Sequence, residues 1–248
     1  MTEKYITTPS AENEFGQPLD FEVPGWTPCE RPPATAMVGR WCTVAPIDAD
    51  TDAAELYDAV MHDASGANWT YLPYGPFDTL AGYDKWLRET CLGPDPMFHT
   101  IRLKETGKAV GIASLMRMDL ANGVIETGHI HYSPLLQRTP ASTEAMYLLM
   151  RRVFDELGYR RYEWKCNNLN AASKRTAERL GFAYEGVFRQ MSVTKGRNRD
   201  TAWFAILDRD WPAAKSAFET WLDPANFDGD GTQKRRLGDL MTEARRGV

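Results

Sequence analysis

Cysteine is scarce: Cys29, Cys42, Cys91 and Cys166 are the only four in 248 residues. No two stand in a CxxC pair or at metal-ligand spacing, which argues against a disulfide-stapled secreted domain and against zinc; free thiols in a reducing cytoplasmic setting, with no metal, are expected. Long apolar runs are missing too. None approaches the roughly 18 residues of a spanning helix, and no basic-then-apolar leader is visible, so a soluble chain with no membrane partner is expected. An excess of basic charge is also absent. Lys and Arg number 29 against 34 Asp and Glu, a formal net charge of -5. No global positive field therefore exists to hold a nucleic-acid backbone, although Lys195, Arg197, Arg199, Lys234, Arg235, Arg236, Arg245 and Arg246 cluster late enough to give local anion contacts.

Periodicity is lacking only at the start, where Pro9, Pro18, Pro24, Pro28, Pro32 and Pro33 exclude regular helix and central strand. Residues 1–37 are expected to form a proline-rich arm, either lying over the domain or partly disordered, with Phe15, Phe21 and Trp26 as apolar anchors. Elements then follow in close order. A strand is expected over 41–47, and a helix opening at Asp48, Asp50 and Asp52 that buries Ala53, Leu56, Tyr57 and Val60. A second helix is expected over 80–91, after an aromatic loop at 68–77. Strands are expected over 98–104, 109–118 and 123–131, the last two joined at Asn122-Gly123, a strong hairpin step. A helix over 142–157 and a strand over 161–166 come next. After a short helix beginning near Asn170, two strands over 182–194 and 199–207 flank a turn at 195–198, and a helix over 211–222 closes the order. A meander of strands within mixed αβ order excludes a doubly wound layout and predicts an α+β fold in αβα layers. The expected division is an arm, a domain over 38–210 and a helical C-terminal extension over 211–248.

Chemistry concentrates in two segments. Arg161-Tyr-Glu-Trp-Lys-Cys166 reads as a strand, Asn167-Asn-Leu-Asn170 as a turn and helix cap, and Ala171 to Leu180 as an amphipathic helix stopped by Gly181. Ser173 falls in the first helical turn, beside unpaired amides and the positive end of the dipole, where a thiolate leaving group could be stabilised and protonated. On spacing alone, Asn170 and Ser173 read equally as caps. The second segment is Gln137-Arg138-Thr139-Pro140-Ala141-Ser142-Thr143-Glu144. Amides at a helix start there make an anion site to which hydroxyls can add donors, or else an ordinary N-cap.

Together, Asn170-x-x-Ser173-x-x-x-x-Glu178-x-x-Gly181-Phe182 and the turn one strand earlier resemble the GNAT superfamily of acyl-CoA-dependent N-acyltransferases, on its RimJ/RimL-like branch. The resemblance implies a central, mostly antiparallel, splayed sheet and acetyl-CoA as cosubstrate. It places the CoA pyrophosphate at Gln137, Arg138, Thr139, Ala141, Ser142 and Thr143, and the pantetheine arm at Asn170. It makes Ser173 a general acid toward the sulfur. Pro140 and Ser142 depart from the family's small-residue pattern in that turn. Acetyl transfer would run by direct attack of a primary amine, from a small molecule or a protein N-terminus, on the thioester. The base is expected from the strand Glu126-Thr-Gly-His129-Ile-His131, with Glu126 first and His131 second. By strict alternation Glu126 and His131 face opposite ways unless a bulge intervenes. Cys166 reads as a buried small hydrophobe rather than an acyl carrier. Trp69, Tyr71 and Tyr74 either wall the acceptor pocket or form a lid packed on the core, and Glu185 is a further acceptor-side candidate. The oligomeric state is expected to be monomer or homodimer. Two alternatives stand beside catalysis: a non-catalytic CoA-binding protein of the same fold, or a protein-interaction module.

Overall fold

The computed structural model describes residues 10–246. The first nine residues of the expected arm, Pro9 included, and the last two of the expected extension lie outside them. The arm carries a small hairpin, β1 (Ala11–Glu12) with β2 (Pro18–Leu19). Then come β3 (Met37–Val38), β4 (Cys42–Pro46), α1 (Ala49–Met61), α2 (Leu80–Thr90), β5 (Met97–Leu103), β6 (Ala109–Asp119) and β7 (Val124–Tyr132). The second half holds α3 (Pro140–Arg151), β8 (Arg161–Asn167), α4 (Ala171–Arg179), β9 (Ala183–Thr194), β10 (Arg197–Leu207), α5 (Trp211–Leu222) and α6 (Leu237–Arg246).

Eight strands form one sheet in the order β3-β4-β5-β6-β7-β8-β10-β9. All neighbours are antiparallel except β7 and β8, which run parallel. A parallel pair cannot be joined by a tight turn, so the chain must cross the sheet between them, and α3 is that crossover. Alternation divides the core. Ile101, Ala113 and Leu115 face Leu148, Leu149 and Phe218, whereas Phe98 and Ile112 face Leu56, Tyr83 and Leu87 under α1 and α2. Each fully buried side chain of this size contributes roughly 1.5–3 kcal/mol. The α+β class expected from the element order and the splayed, mostly antiparallel sheet implied by the resemblance are both present.

Three local differences have physical causes. α3 starts two residues earlier than expected because Thr139 is its N-cap and Pro140 takes the first helical position, where a missing N–H has no intrahelical partner to lose. Its last turn, Arg152–Glu156, widens into a π-type turn that buries Arg152, Val153 and Phe154 together. Third, the β9–β10 turn is the two-residue step Lys195-Gly196, both at positive φ (49° and 72°), rather than the four residues 195–198.

The arm is held through Trp26. Its indole Nε1 donates to Ala121 O at 2.8 Å, and its ring lies where a Cβ on Gly123 would stand, 2.5 Å away. Phe15 and Phe21, expected as further anchors, are instead mostly exposed. At the other end, Trp211 and Phe218 of α5 pack on Tyr147 and Phe154, and α6 sends Arg245 back to the carbonyl of Gly181.

Candidate functional site

The parallel pairing of β7 with β8 runs from Val124–Arg161 to Thr127–Trp164 and then stops. Gly128 to Tyr132 of β7 and Lys165 to Asn167 of β8 run on without each other, leaving strand-edge amides and carbonyls facing a gap. The gap opens into a cavity of about 460 Å³. Its floor follows from strand alternation: Lys165 and Asn167 on β8 oppose Trp203 and Thr201 on β10, and Arg199 continues the same face. Asn170 and Ser173 form one wall, and Tyr71, Leu72 and Pro73 of the aromatic loop another.

At the first wall, Asn170 caps α4 by accepting Ser173 N–H at 3.0 Å. Trp164 Nε1 donates to Ser173 Oγ at 3.0 Å, so the hydroxyl's own proton remains free to be donated onward. Cap and cavity wall are therefore the same residues, and the two readings of the motif coexist. Burial pushes the Cys166 thiol up, against the opposing pull of Ser173, Arg199 and Lys174; a thiolate there is disfavoured.

Across the floor runs a chain of charges. Arg117 and Lys165 both bind Glu126 Oε2 (3.1 and 2.9 Å), Lys165 also binds Glu163 (2.7 Å), and Arg161 joins Glu163 (2.7 Å) to Glu185 (2.5 Å). Lys165 lies 3.7 Å above the Trp203 ring. Burial raises the Glu126 pKa while Lys165 and Arg117 pull it down, and neither cation touches Oε1. Glu126 thus lines the cavity with Oε1 outside both ion pairs. Glu185, expected on the acceptor side, sits at the far end of this chain and does not line the cavity; its carboxylate is committed to Arg161.

A bulge does intervene on β7. Ser114 pairs with Gly128 and Ile112 with His131, so Ala113 alone opposes His129 and Ile130, with His129 at φ 50°. The shift brings His131 onto the Glu126 face, yet not into the cavity. Its ring stacks 3.8 Å from that of Trp69, it is 3% exposed, and burial pushes its pKa down to about 4. As second candidate base it is sealed off. His129 lines the cavity instead, with Nδ1 3.0 Å from Tyr74 Oη and a pKa pushed to about 4 by burial and by Arg117 and Arg199. Lys165 and His129 are site residues that motif reading did not select, and Arg199 entered it only as one of a late basic cluster able to make local anion contacts. The strand phase of 161–167 could have found Lys165, but His129 depends on the bulge.

Trp69 and Tyr74 belong to the lid reading. Trp69 is buried among Tyr74, Phe77 and Trp86, and only Tyr71 of the three predicted aromatics lines the cavity, its hydroxyl donating to Leu169 O at 3.3 Å. Lys195 at the β9–β10 tip clamps this loop, donating to Trp69 O and Gly75 O at 2.8 Å each. The hairpin is therefore tied to the loop that walls the cavity, while residues 195–198 at its tip stay exposed. Lys195→Met is expected to speed amide exchange across residues 190–200 severalfold while lowering Tm by only about 2–4 °C, as loss of about 1 kcal/mol would. Unchanged exchange there would remove the clamp.

In the turn before α3, Gln137 Nε2 donates to Tyr132 O (2.8 Å) and Asn68 Oδ1 (3.2 Å), Thr139 Oγ1 to Leu136 O (2.7 Å), and Ser142 Oγ to Thr139 O (2.7 Å). These side chains shape the turn instead of reaching outward. Thr143 is buried and accepts from Arg179 at 3.1 Å, so it leaves the anion-site set. What faces outward is the exposed Arg138, at φ 62°, just before the N-terminus of α3, whereas Ala141, expected in the anion site, is buried. Pro140 removes a donor only at the position where helices most readily accept proline. An exposed guanidinium, a helix N-terminus and the unpaired edges of β7 and β8 together suit a long anionic thioester such as acetyl-CoA. Among the described residues, no helix is long and apolar enough to cross a membrane.

The model of the acetyltransferase (GNAT) domain family matches residues 43–183. A crystal structure of a GCN5-related N-acetyltransferase from Brucella melitensis is 46% identical, covering 89% of this chain and 100% of its own, with a TM-score of 0.87. A "probable acetyltransferase (GNAT family)" from Chromobacterium violaceum ATCC 12472 is 39% identical over 79% of this chain and 98% of its own, TM-score 0.73. The microcin C7 self-immunity acetyltransferase, crystallised with acetyl-CoA and AMP, shares the fold at 20% identity, covering 71% of this chain and 97% of its own, with a TM-score of 0.61. No curated protein matches the chain significantly. A family model spanning more than half of the chain, and a relative of the same fold at 46% identity, make this protein a member of the GNAT acetyltransferase family.

Proposed function

We propose that the protein is an acetyl-CoA-dependent N-acetyltransferase of the RimJ/RimL-like branch, working in the cytoplasm on a primary amine by direct attack. The observation that carries this reading is the gap between β7 and β8, which opens into one cavity flanked by Ser173 and Glu126. Acetyl-CoA supplies the activated acetyl carbonyl and a thiolate leaving group. Arg138 and the amides at the start of α3 hold its phosphates, and Asn170 lies along its arm. Glu126 Oε1 takes the amine's proton: a carboxylate raised by burial is a better base near neutral pH than an exposed one. Ser173 returns a proton to the sulfur, its orientation set by the Trp164 indole.

Calorimetric titration of the full chain with acetyl-CoA, with dephospho-CoA and adenosine as controls, tests the cosubstrate. Binding that needs the pyrophosphate and is lost when Asn170 is replaced by tryptophan is expected; no binding would sink the reading. Ser173→Ala is expected to lower kcat about 10- to 100-fold while acetyl-CoA affinity stays within about threefold. Equal losses in both would deny Ser173 the acid role.

A further inference from the structure

One charged group on the cavity wall has no work in the chemistry just described. Arg199 stands on β10 in step with Thr201 and Trp203, on the wall that also carries Glu126, Arg117 and Lys165. The others are matched: Glu126 holds Arg117 and Lys165, and Lys165 is shared with Glu163. Arg199 has no carboxylate partner among the described residues, and its Nε is buried with no acceptor. Desolvation lowers its pKa and Arg117 adds to this, while Cys166 and Glu126 pull the other way without bonding to it. The acidic residue next in the chain is held away from it. Asp200 turns into the β9–β10 bulge, where its carboxylate accepts Gln190 N–H at 2.8 Å and Asn198 Nδ2 at 2.9 Å. The fold thus keeps a half-buried guanidinium unpaired at the edge of the site, and buried polar groups without a partner in the chain call for one from outside.

We propose that the amine acceptor carries an anionic group, a carboxylate or a phosphate, that seats on the Arg199 guanidinium. The inference rests on the N-acetyltransferase reading and adds a substrate class to it. Three cations line the wall against one carboxylate, so a polyamine without an anion is repelled, whereas a small zwitterion places its anion on Arg199 and its amine toward Glu126 Oε1.

The test titrates inorganic phosphate and, separately, N-acetylglycine into the full chain, with and without saturating CoA, following the fluorescence of Trp164 and Trp203 on the wall. Saturable binding of at least one anion is expected, unaffected by CoA and weakened at least about 30-fold in Arg199→Met. Preference for phosphate or for carboxylate then names the anion. Because the variant removes an unpaired buried charge, its Tm should hold or rise, and Arg199→Lys should recover part of the binding. Absence of saturable binding, equal binding by Arg199→Met, or displacement of the anion by CoA would each overturn the inference. CoA affinity, measured in the same samples, reports separately on the acetyltransferase reading, and the anion titration without CoA decides Arg199 whichever way that falls.

Discussion

Glu144→Ala is expected to cost about 3–5 kcal/mol of folding stability, lowering Tm by roughly 6–20 °C. Its carboxylate is buried on the first turns of α3 and accepts three backbone N–H groups from the segment entering β4: Arg40 at 2.5 Å, Trp41 at 2.7 Å and Cys42 at 2.8 Å. Charge-assisted bonds of this kind are among the strongest available to a fold; truncation strands the buried Cys42 donor and leaves two part-buried ones without their acceptor. Glu144→Gln would do little better, since the new amide NH₂ would face a donor. The same clasp explains Gly39, where a Cβ would stand 2.3 Å from the Glu144 carboxyl carbon, so Gly39→Ala should also destabilise, by forcing the clasp open. Urea unfolding of the Glu144→Ala and Gly39→Ala variants checks both. A loss below about 1 kcal/mol for Glu144→Ala would mean that the segment finds other acceptors. A functional consequence follows, because Glu144 anchors the same helix whose N-terminus stands beside Arg138.

Acid should unfold this protein between about pH 4 and 6. His99, His129 and His131 are each pushed to a pKa of about 4, chiefly by burial; Arg152 adds repulsion at His99, Arg117 and Arg199 do so at His129, and Asp63 pulls the other way at His131. In the unfolded chain these imidazoles titrate near 6.5, so below that pH the unfolded state binds protons that the native state refuses. The stability tied to the neutral rings is therefore complete above about pH 6.5 and is lost as pH falls toward 4. Each ring accounts for about 2–3 kcal/mol, and three together approach the whole stability of an ordinary domain. Glu126, held high by burial, works in the opposite sense as pH falls through its range, but it is one group against three. Calorimetric Tm values from pH 7.5 to 4.5 should fall steeply with nearly three protons taken up on unfolding near pH 5, and His99→Leu should reduce that uptake by about one. A Tm at pH 5 equal to that at pH 7 would contradict the prediction.

Both results rest on residues whose importance no local pattern reveals. Glu144 reads in the chain as part of a helix-start cluster with Ser142 and Thr143; its partners lie about a hundred positions earlier, and only the packing of α3 against β4 brings them together. His99 reads as one of three polar residues, with Thr100 and Arg102, in a strand of mixed character. Its burial depends on the sheet having a covered face at that point.

The element order from β4 to α5, the class of the fold and the motif from Asn170 to Phe182 were legible in the chain, because these depend on short-range rules, whereas the arm hairpin, β3 and α6 were not. Alternation reports strands, an asparagine cap and a glycine at φ 93° bound α4, and proline at the start of α3 is a local preference. Tertiary structure alone decided which polar residues meet. One extra residue in β7 moved His131 to the Glu126 face and then sealed it under Trp69, while placing His129 on the cavity. The two-residue turn at Lys195 carried an ammonium across to the aromatic loop, and the β9–β10 bulge turned Asp200 away from Arg199. A bulge changes the facing of every later residue in its strand, and a contact across a sheet joins positions unrelated in sequence. The chemistry of the site is set at that level, by strand phase and by pairing between distant segments.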